Sequence, residues 1–404
     1  MQLHQIIVSV LSLIITLFSN CVLSYTVDNI NSIGIEERYF FSKTVFDSMP
    51  DYRSQYSLTV EPELRVSSDD RKNKFQFLGF YRQDSIDDNR THGDIRELYW
   101  SYETGDVEVL LGVNKVFWGV TESRHLVDVI NQTDFVENVD QEDKLGQPML
   151  MLALQKGWGE LSFFILPYFR EINFPSEDGR LRFTTPIHPD ISFYESRDQQ
   201  QHNDYAFRYS HYISDVDFAF SVFDGTNRRP LFLRYNDGKE WLVPFYIQMR
   251  QYGIEAQYTR DAWLWKLESI YRKLEANNLA YVLGFEYTFY QTLGNNFDTG
   301  VLFEVLGDDN NLQLLYSPEI NKGYFIGTRI TPNDTHETEF LLGVAFQKEI
   351  HASIFNLEFS RLITNNLKVA MEVRVFNGIN RNKFTFESSF EHDDYAQLKL
   401  NWKF

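Results

Sequence analysis

Apolar and polar side chains alternate along most of this chain with a period of two, which is typical of strands with one apolar and one wet face. The clearest example is 279–289, where large side chains at odd numbers alternate with small or polar ones at even numbers. The same pattern predicts strands at 34–46, 54–67, 73–83, 94–103, 107–113, 149–156, 161–169, 204–212, 216–223, 251–259, 263–272, 298–306, 323–331, 339–347, 353–362 and 367–376. Pro62 predicts an irregularity inside one of them.

The last segment, 394–404, alternates in the same way and ends on Phe404. A terminal strand of this form, with Trp402 two residues earlier, resembles the closing strand of Gram-negative outer-membrane β-barrels. The resemblance implies that Trp402 and Phe404 are the signal for the barrel-assembly machinery, and that Phe404 lies at the periplasmic rim.

Connections between the predicted strands fall into two classes when they are counted back from Phe404. Those assigned to the periplasmic side are short and lie near residues 69, 105, 157, 214, 261, 295, 333 and 365. The other side includes the long ones, at 119–146, 171–203, 224–243, 307–321 and 377–393. A soluble β-sandwich gives no reason for such segregation, whereas outer-membrane barrels require it. We therefore predict an all-β fold, a transmembrane antiparallel up-and-down barrel of about 18 strands, with about 16 as the next choice.

Composition agrees with a barrel and suggests export. Aromatic residues make up 16% of the chain, which suits the girdles of a membrane barrel. The apolar run 6–18 is too short to span a bilayer comfortably and lies where a signal peptide has its apolar core. We expect a signal peptide at 1–24 and a barrel at 25–404; Cys21 leaves a lipoprotein as the alternative. The net charge of −19 argues against a nucleic-acid partner.

Charged residues of both signs fall on the polar face of the predicted strands. An Arg or Lys facing lipid at mid-depth would cost roughly 2–4 kcal/mol, so these side chains should face the lumen. They would either pair to stiffen the wall or form an electrostatic lining that selects solutes. The predicted lumen wall comprises Arg208, Lys266, Arg272, Arg329, Arg374, Glu286, Glu304 and Glu372.

The segment 115–150 departs most from simple alternation. Its position after the fifth strand resembles that of the third loop of general porins, which folds into the lumen and narrows it. Leu126, Val127, Val129 and Ile130 predict a short helix that packs on the wall. The loop is acidic, so an inward fold would favour cations; the alternative is an external loop bridged to lipopolysaccharide by divalent ions. The predicted pore constriction comprises Glu122, Arg124, Asp128, Asp134 and Glu137.

This segment, with LPYFREINFPSEDGRLR, YESRDQQQHNDYAFRYSH, WLWKLESIYR and GFEYTF, resembles an uncharacterised family of proteobacterial outer-membrane barrel proteins. The resemblance covers nearly all of the expected mature chain. It implies a location in the outer membrane of a Gram-negative bacterium, and close packing between loops 115–150 and 167–205. It implies no particular substrate.

Catalysis is not expected. Ser123, His125 and Asp128 are close in sequence, but a triad must converge in space, and no hydrolase motif surrounds them. No metal-ligand spacing or cofactor motif is present. The sequence favours a porin-like channel for passive diffusion of small polar or charged solutes. The alternative is a non-conducting barrel that binds a partner or lipopolysaccharide through its loops. Expected partners are outer-membrane lipid, lipopolysaccharide and the barrel-assembly machinery, and homo-oligomerisation is left open.

Overall fold

The computed structural model describes residues 25–44, 49, 51–274, 277–309, 322–348, 351–378, 390 and 392–404. Eighteen strands form one closed antiparallel sheet, in which each strand pairs with its neighbours along the chain and the first pairs with the last. The barrel strands are β1 (Tyr25–Phe40), β2 (Ser54–Ser68), β3 (Asn73–Asp84), β4 (His92–Thr104), β5 (Val107–Asn114), β6 (Gln147–Lys156), β7 (Gly159–Leu166), β9 (Asp204–Ile213), β10 (Val216–Thr226), β13 (Gln248–Arg260), β14 (Trp263–Lys273), β15 (Asn278–Gln291), β16 (Phe297–Asp308), β17 (Gly323–Pro332), β18 (Glu339–Gln347), β19 (Ala352–Leu362), β20 (Leu367–Asn377) and β21 (Tyr395–Lys403).

The predicted barrel and its strand number are confirmed. Barrel closure follows from the pairing of β1 with β21, which runs from Ser32↔Lys403 to Phe40↔Tyr395. The predicted first strand, 34–46, was wrong in its bounds. Polar residues near the start of β1 break the alternation, but their backbone pairs with β2 from Tyr25↔Ser68 onward. Pairing between strands therefore determines where β1 begins, and the pattern within a single strand does not predict it.

The irregularity predicted at Pro62 is present. Pairing between β2 and β3 is interrupted there, because the register passes from Val60↔Tyr81 directly to Glu63↔Leu78. Proline has no N–H to donate to the ladder, so it is tolerated where the pairing is broken.

The outer surface of the barrel is apolar. On β15, Tyr281 and Leu283 are 43% and 51% exposed, whereas Ala280 and Val282 are fully buried inside. Aromatic side chains gather towards the end that carries Phe404, where Trp263 and Trp265 stack with ring centroids 5.5 Å apart. This is the surface that a membrane barrel presents to lipid and its interface. Among the described residues, no helix is long and apolar enough to cross a bilayer.

Loop lengths segregate as predicted in the part of the chain that the structure describes; the predicted long loops 307–321 and 377–393 lie largely outside it. The connections 69–72, 105–106, 157–158, 214–215, 261–262, 292–296, 333–338 and 363–366 all lie at the end that carries Phe404. The long connections 115–146, 167–203 and 227–247 lie at the opposite, outer end. A short α-helix, Thr292–Asn295, occupies one periplasmic turn, and a 3-10 helix, Gln199–Gln201, lies in an outer loop.

A small second sheet, which the sequence did not predict, covers part of the outer mouth. It consists of β8 (Phe193–Tyr194), β11 (Leu231–Asn236) and β12 (Glu240–Tyr246). Its inner side joins an apolar cluster with the outer ends of barrel strands, including Phe40 and Phe376. The outer loops thus form a packed cap.

Candidate functional site

The loop 115–146, here called the inner loop, packs inside the barrel. Trp118, Leu126, Val127, Val129 and Ile130 are at most 4% exposed and belong to the central apolar cluster. The wall supplies the other side of that cluster through inward-facing side chains on several strands: Leu110, Met149, Phe164, Leu166, Ala206, Phe223, Met249, Ile270, Val282, Leu302, Leu306 and Phe325. The predicted helix at Leu126–Ile130 was wrong, because this apolar segment has an irregular backbone.

Two wall carboxylates hold the first part of the inner loop by its backbone. Glu268 on β14 accepts hydrogen bonds from the backbone N–H groups of Val120 (2.7 Å) and Thr121 (3.0 Å), and from the Thr121 hydroxyl (2.7 Å). Glu304 on β16 accepts from the N–H groups of Glu122 and Ser123, both at 2.8 Å. Both carboxylates are buried, and charge-assisted hydrogen bonds of this kind are strong.

Gly119 makes this approach feasible. Its φ of +137° lies in the region that favours glycine, and a Cβ there would lie 3.0 Å from Glu268 Oε1. The loop can therefore turn directly against the wall carboxylate.

Ion pairs hold the second part of the inner loop to the opposite wall. Arg82 on β3 donates to both Glu137 oxygens, at 2.8 and 2.6 Å. Arg96 on β4 pairs with Asp134 at 2.5 Å, and His92 lies 3.0 Å from the same carboxylate. All these groups are buried or nearly so. The basic partners neutralise Asp134 and Glu137, so these carboxylates fix the position of the loop instead of attracting cations.

The residues predicted for the constriction take two kinds of position. Asp134 and Glu137 are buried in the pairs just described, and Asp128 is buried 3.2 Å from Lys144. Arg124 is buried against Asp308 at 3.0 Å. Glu122 keeps 20% of its side chain exposed while it pairs with Arg329 at 2.8 Å.

The residues predicted for the lumen wall contact one another or the inner loop. Lys266 and Arg329 both lie 3.8 Å from Glu286, and Arg208 on β9 pairs with Glu255 on β13, across the intervening strand β10. Arg272 donates to Gln251 at 2.9 Å. Arg374 pairs with Glu372, and also with Asp140 of the inner loop at 2.9 Å.

Trp402 and Phe404, the predicted assembly signal, are exposed on the outer face near the seam between β1 and β21. Their exposed fractions are 52% and 53%, and the backbones of Phe404 and Asn31 exchange two hydrogen bonds.

Cavities with charged side chains in their linings remain on both sides of the inner loop. One of about 450 Å³ lies towards the periplasm and is lined by Lys156, Glu160, Arg208 and Asp217, among others. A second, of about 380 Å³, lies between the loop and β17–β20 and is lined by Glu142, Glu358 and Arg374, among others. The described part of the chain thus divides the lumen into narrow spaces rather than one wide pore.

The inner loop also packs on loop 167–203, as the family resemblance implied. Arg170 donates to the Gly146 carbonyl at 2.7 Å, and Gln132 donates to the Arg170 carbonyl at 3.1 Å. The rings of Phe135 and Phe174 lie 6.2 Å apart.

Comparison with solved structures identifies the fold. The chain is similar to a BenF-like porin from Pseudomonas fluorescens Pf-5, at 8% identity over 94% of this chain and 98% of that chain, with a TM-score of 0.54. It is also similar to OccK11 (OpdR) from Pseudomonas aeruginosa, at 9% identity over 94% and 95% of the two chains, with a TM-score of 0.53. The chain has the fold of an outer-membrane porin. No family model and no curated protein matches the sequence.

Ser123, His125 and Asp128 are not arranged as a catalytic triad in this porin fold. The Ser123 hydroxyl donates to Glu304 at 2.5 Å, while His125 pairs with Glu142 at 3.2 Å. Each group has a different partner, so nucleophile, base and orienting acid do not converge.

One group of side chains has the geometry of a metal site. The donor atoms of His92, Asp134 and Glu137 lie within 4.8 Å of one another. Arg96 and Arg82 already bind the two carboxylates, and their positive charges compete with a cation. We therefore interpret this group as part of the loop attachment.

Alkaline pH should weaken the attachment of the inner loop at His125. Burial lowers the pKa of His125, but the hydrogen bond and charge of Glu142, with the charges of Glu268 and Asp128, raise it to about 9. Because this pKa is above the unfolded value near 6.5, the stabilisation is complete below about pH 6.5 and lost as pH rises through about 9. Allowing for the half-exposed Glu142, we expect a loss of about 1–3 kcal/mol.

Urea unfolding of the wild type and of His125→Asn at pH 7 and pH 10 measures this loss. The free-energy difference between the two proteins should shrink at pH 10. An unchanged difference would mean that the charged imidazole does not stabilise the loop.

Proposed function

We propose that this protein is a porin-like channel for passive diffusion of small polar or charged solutes across the outer membrane, narrowed by the inner loop. The observation that supports this most is that the loop crosses the barrel interior and is fixed to walls on opposite sides. The cavities on both sides of the loop would then be segments of the diffusion path. Outer-membrane lipid, lipopolysaccharide and the barrel-assembly machinery are part of the proposal, as is a signal peptide at 1–24, which lies outside the described residues.

Charge would favour cations along this path. Asp134, Glu137 and Asp128 are buried and paired, so they contribute mainly to loop position. In the cavity between the loop and β17–β20, the carboxylates that contact water are Glu142, at 55% exposure, Glu358 at 45%, and in smaller part Glu122 and Asp140. The basic wall residues Arg208, Arg272, Arg329 and Arg374 each bind acidic or amide groups, which limits the attraction they exert on anions.

Neutralising the exposed carboxylates should reduce cation preference. We expect the double variant Glu142→Gln/Glu358→Gln to lower the ratio of cation to anion permeability about fivefold, since one charge at about 4 Å in water is worth about 1 kcal/mol. The reversal potential of single channels in a planar bilayer with a KCl gradient gives this ratio. Glu240→Gln, on the exposed outer sheet, is the matched control and should leave the ratio unchanged. Equal ratios in all three proteins would contradict the selective role.

A second candidate is a non-conducting barrel whose loops bind a partner or lipopolysaccharide. The observation that favours it is the packed outer cap. Arg180, in loop 167–203, is fully buried and pairs with Asp393 (2.7 Å), which precedes β21. It also donates to the Ser42 carbonyl (2.9 Å) and the Tyr52 carbonyl (3.2 Å), both between β1 and β2. It therefore joins three outer loops. Folded wild-type protein that inserts into bilayers but never conducts would support this candidate and exclude the channel.

A further inference from the structure

The cavity between the inner loop and β17–β20, here called the side cavity, extends along the barrel axis. Its lining runs from Leu341, near the periplasmic end of β18, to Phe376, near the outer end of β20. A solute that passes the inner loop on this side would therefore contact the side cavity. Its volume of about 380 Å³ is within the range of small-molecule sites.

One wall of the side cavity is unusually apolar for a porin lumen. Inward positions of membrane barrels are normally polar, yet Phe325, Leu341, Ile354 and Phe376 all line this space. Their side chains come from four adjacent strands, β17 to β20. Phe376 and Ile354 belong to one apolar cluster and Phe325 to another, while Leu341 pairs with Glu358 in the sheet register.

Glycine at position 343 lets Phe325 lie flat on that wall. A Cβ at Gly343 would lie 2.4 Å from Phe325 Cε2, so no other residue would admit the ring in its present place. The backbone is therefore adapted to present an aromatic face to the cavity.

The side cavity also carries acidic side chains, on the inner loop and on β19. Glu142 from the inner loop and Glu358 from β19 both line it, and each carboxylate is about half exposed. Among the described lining residues the basic ones are Arg374 and His125, and each is bound to a carboxylate of the same lining. Arg374 pairs with Asp140, and His125 pairs with Glu142. Because the acidic lining residues outnumber the basic ones, the local field remains negative.

A hydrogen-bond acceptor next to Glu358 is also without a donor among the described residues. The Asn356 side-chain nitrogen donates to Glu358 at 2.6 Å, while its Oδ1 is buried and makes no hydrogen bond. A buried carbonyl oxygen without a donor is costly, so an incoming N–H group would be stabilised there. Carboxylate and amide oxygen together suit an ammonium group.

We propose that the side cavity is a binding site for organic cations that carry an ammonium group on an aromatic or branched apolar body. The ammonium group lies between Glu358, Glu142 and Asn356 Oδ1, and the apolar body lies against Phe325, Leu341 and Ile354. This inference rests on the proposed channel function, because such a site would select these cations for passage.

Three matched probes separate charge from shape. Benzylammonium has both features, benzoate has the same ring with opposite charge, and methylammonium has the charge without the ring. In planar bilayers, we expect benzylammonium to reduce the KCl current at a concentration at least about fivefold lower than either of the others. Isothermal titration calorimetry on refolded protein in detergent should give the same order of affinity.

Two substitutions locate the site. Glu358→Gln should weaken benzylammonium binding about fivefold, whereas Leu341→Ser should weaken benzylammonium binding without affecting methylammonium. Glu160→Gln is the control, because Glu160 lines the periplasmic cavity instead. Equal binding of benzylammonium and benzoate, or no effect of either substitution, overturns the site even if the barrel conducts. A barrel that binds benzylammonium in calorimetry but never conducts keeps the site and rejects the channel.

Discussion

Replacing Arg90 with methionine is expected to destabilise the folded barrel by about 3–5 kcal/mol. Arg90 is 2% exposed and donates to Glu36 at 2.7 Å, Asp84 at 2.8 Å and Ser57 at 2.7 Å. It also donates to the Val136 carbonyl of the inner loop at 2.9 Å. The substitution removes a positive charge from the buried carboxylates of Glu36 and Asp84. Leaving a buried charge without its partner is the destabilising way to break a buried ion pair.

Urea unfolding in lipid vesicles, followed by tryptophan fluorescence, measures the loss. Arg234→Met is the matched control, because Arg234 pairs with Glu240 on the exposed outer sheet at 3.1 Å. Exposed pairs contribute about 0–1 kcal/mol, so that variant should unfold close to the wild type. Similar unfolding midpoints for both variants would mean that the buried network is not a stabilising element.

Replacing Glu268 with alanine is expected to release the first part of the inner loop and to increase channel conductance. The carboxylate is fully buried and accepts hydrogen bonds from Val120, Thr121 and Val127. Its removal leaves several buried donors unpaired, at about 1–3 kcal/mol each. The loop is then held less firmly against β14, so the spaces between the loop and the wall should widen and fluctuate.

Single-channel recording in planar bilayers reads both effects, as larger current steps and more current noise. Glu240→Ala is the control, since Glu240 pairs with Arg234 on the exposed outer sheet at 3.1 Å, away from the inner loop. If the Glu268→Ala barrel still folds but keeps wild-type conductance and noise, Glu268 does not control the loop.

Arg90 and Glu268 stabilise different parts of the attachment between the inner loop and the barrel wall. Arg90 and Arg82 hold the second part of the inner loop to β1 and β3. Glu268 and Glu304 hold the first part to β14 and β16. A loop fixed at both ends across the lumen would keep a constant constriction, which the proposed passive size filter requires.

Local patterns in the sequence determined the barrel. Alternation along each strand depends only on neighbours two residues apart, so it could be read without knowing which strands pair. The direction of each strand followed from the expected position of Phe404 at the periplasmic rim. The periplasmic and outer ends of the barrel followed from the lengths of the loops. The inward position of charges such as Arg329 and Glu304 followed from the cost of placing a charge against lipid.

The sequence did not predict how those charges are used. Glu304 was predicted as a lining residue, but it binds backbone amides of the inner loop, and so does Glu268; both are more than 140 positions away from these amides in sequence. Asp134 and Glu137 looked like constriction charges, but they are buried against Arg96 and Arg82. Neither partner can be found by spacing, because the pairs exist only once the sheet has closed.

Tertiary structure alone decided three further features. The outer sheet joins the hairpin of β11 and β12 to β8, a two-residue segment from another outer loop that is too short to alternate. The segment from Leu126 to Ile130 is irregular because wall contacts outweigh its weak helical pattern. The side cavity exists because the inner loop packs on one part of the wall and leaves space at β17–β20. The period-two pattern determines whether a side chain faces the lipid or the lumen. The register in which the strands pair when the barrel closes determines which residues that side chain contacts.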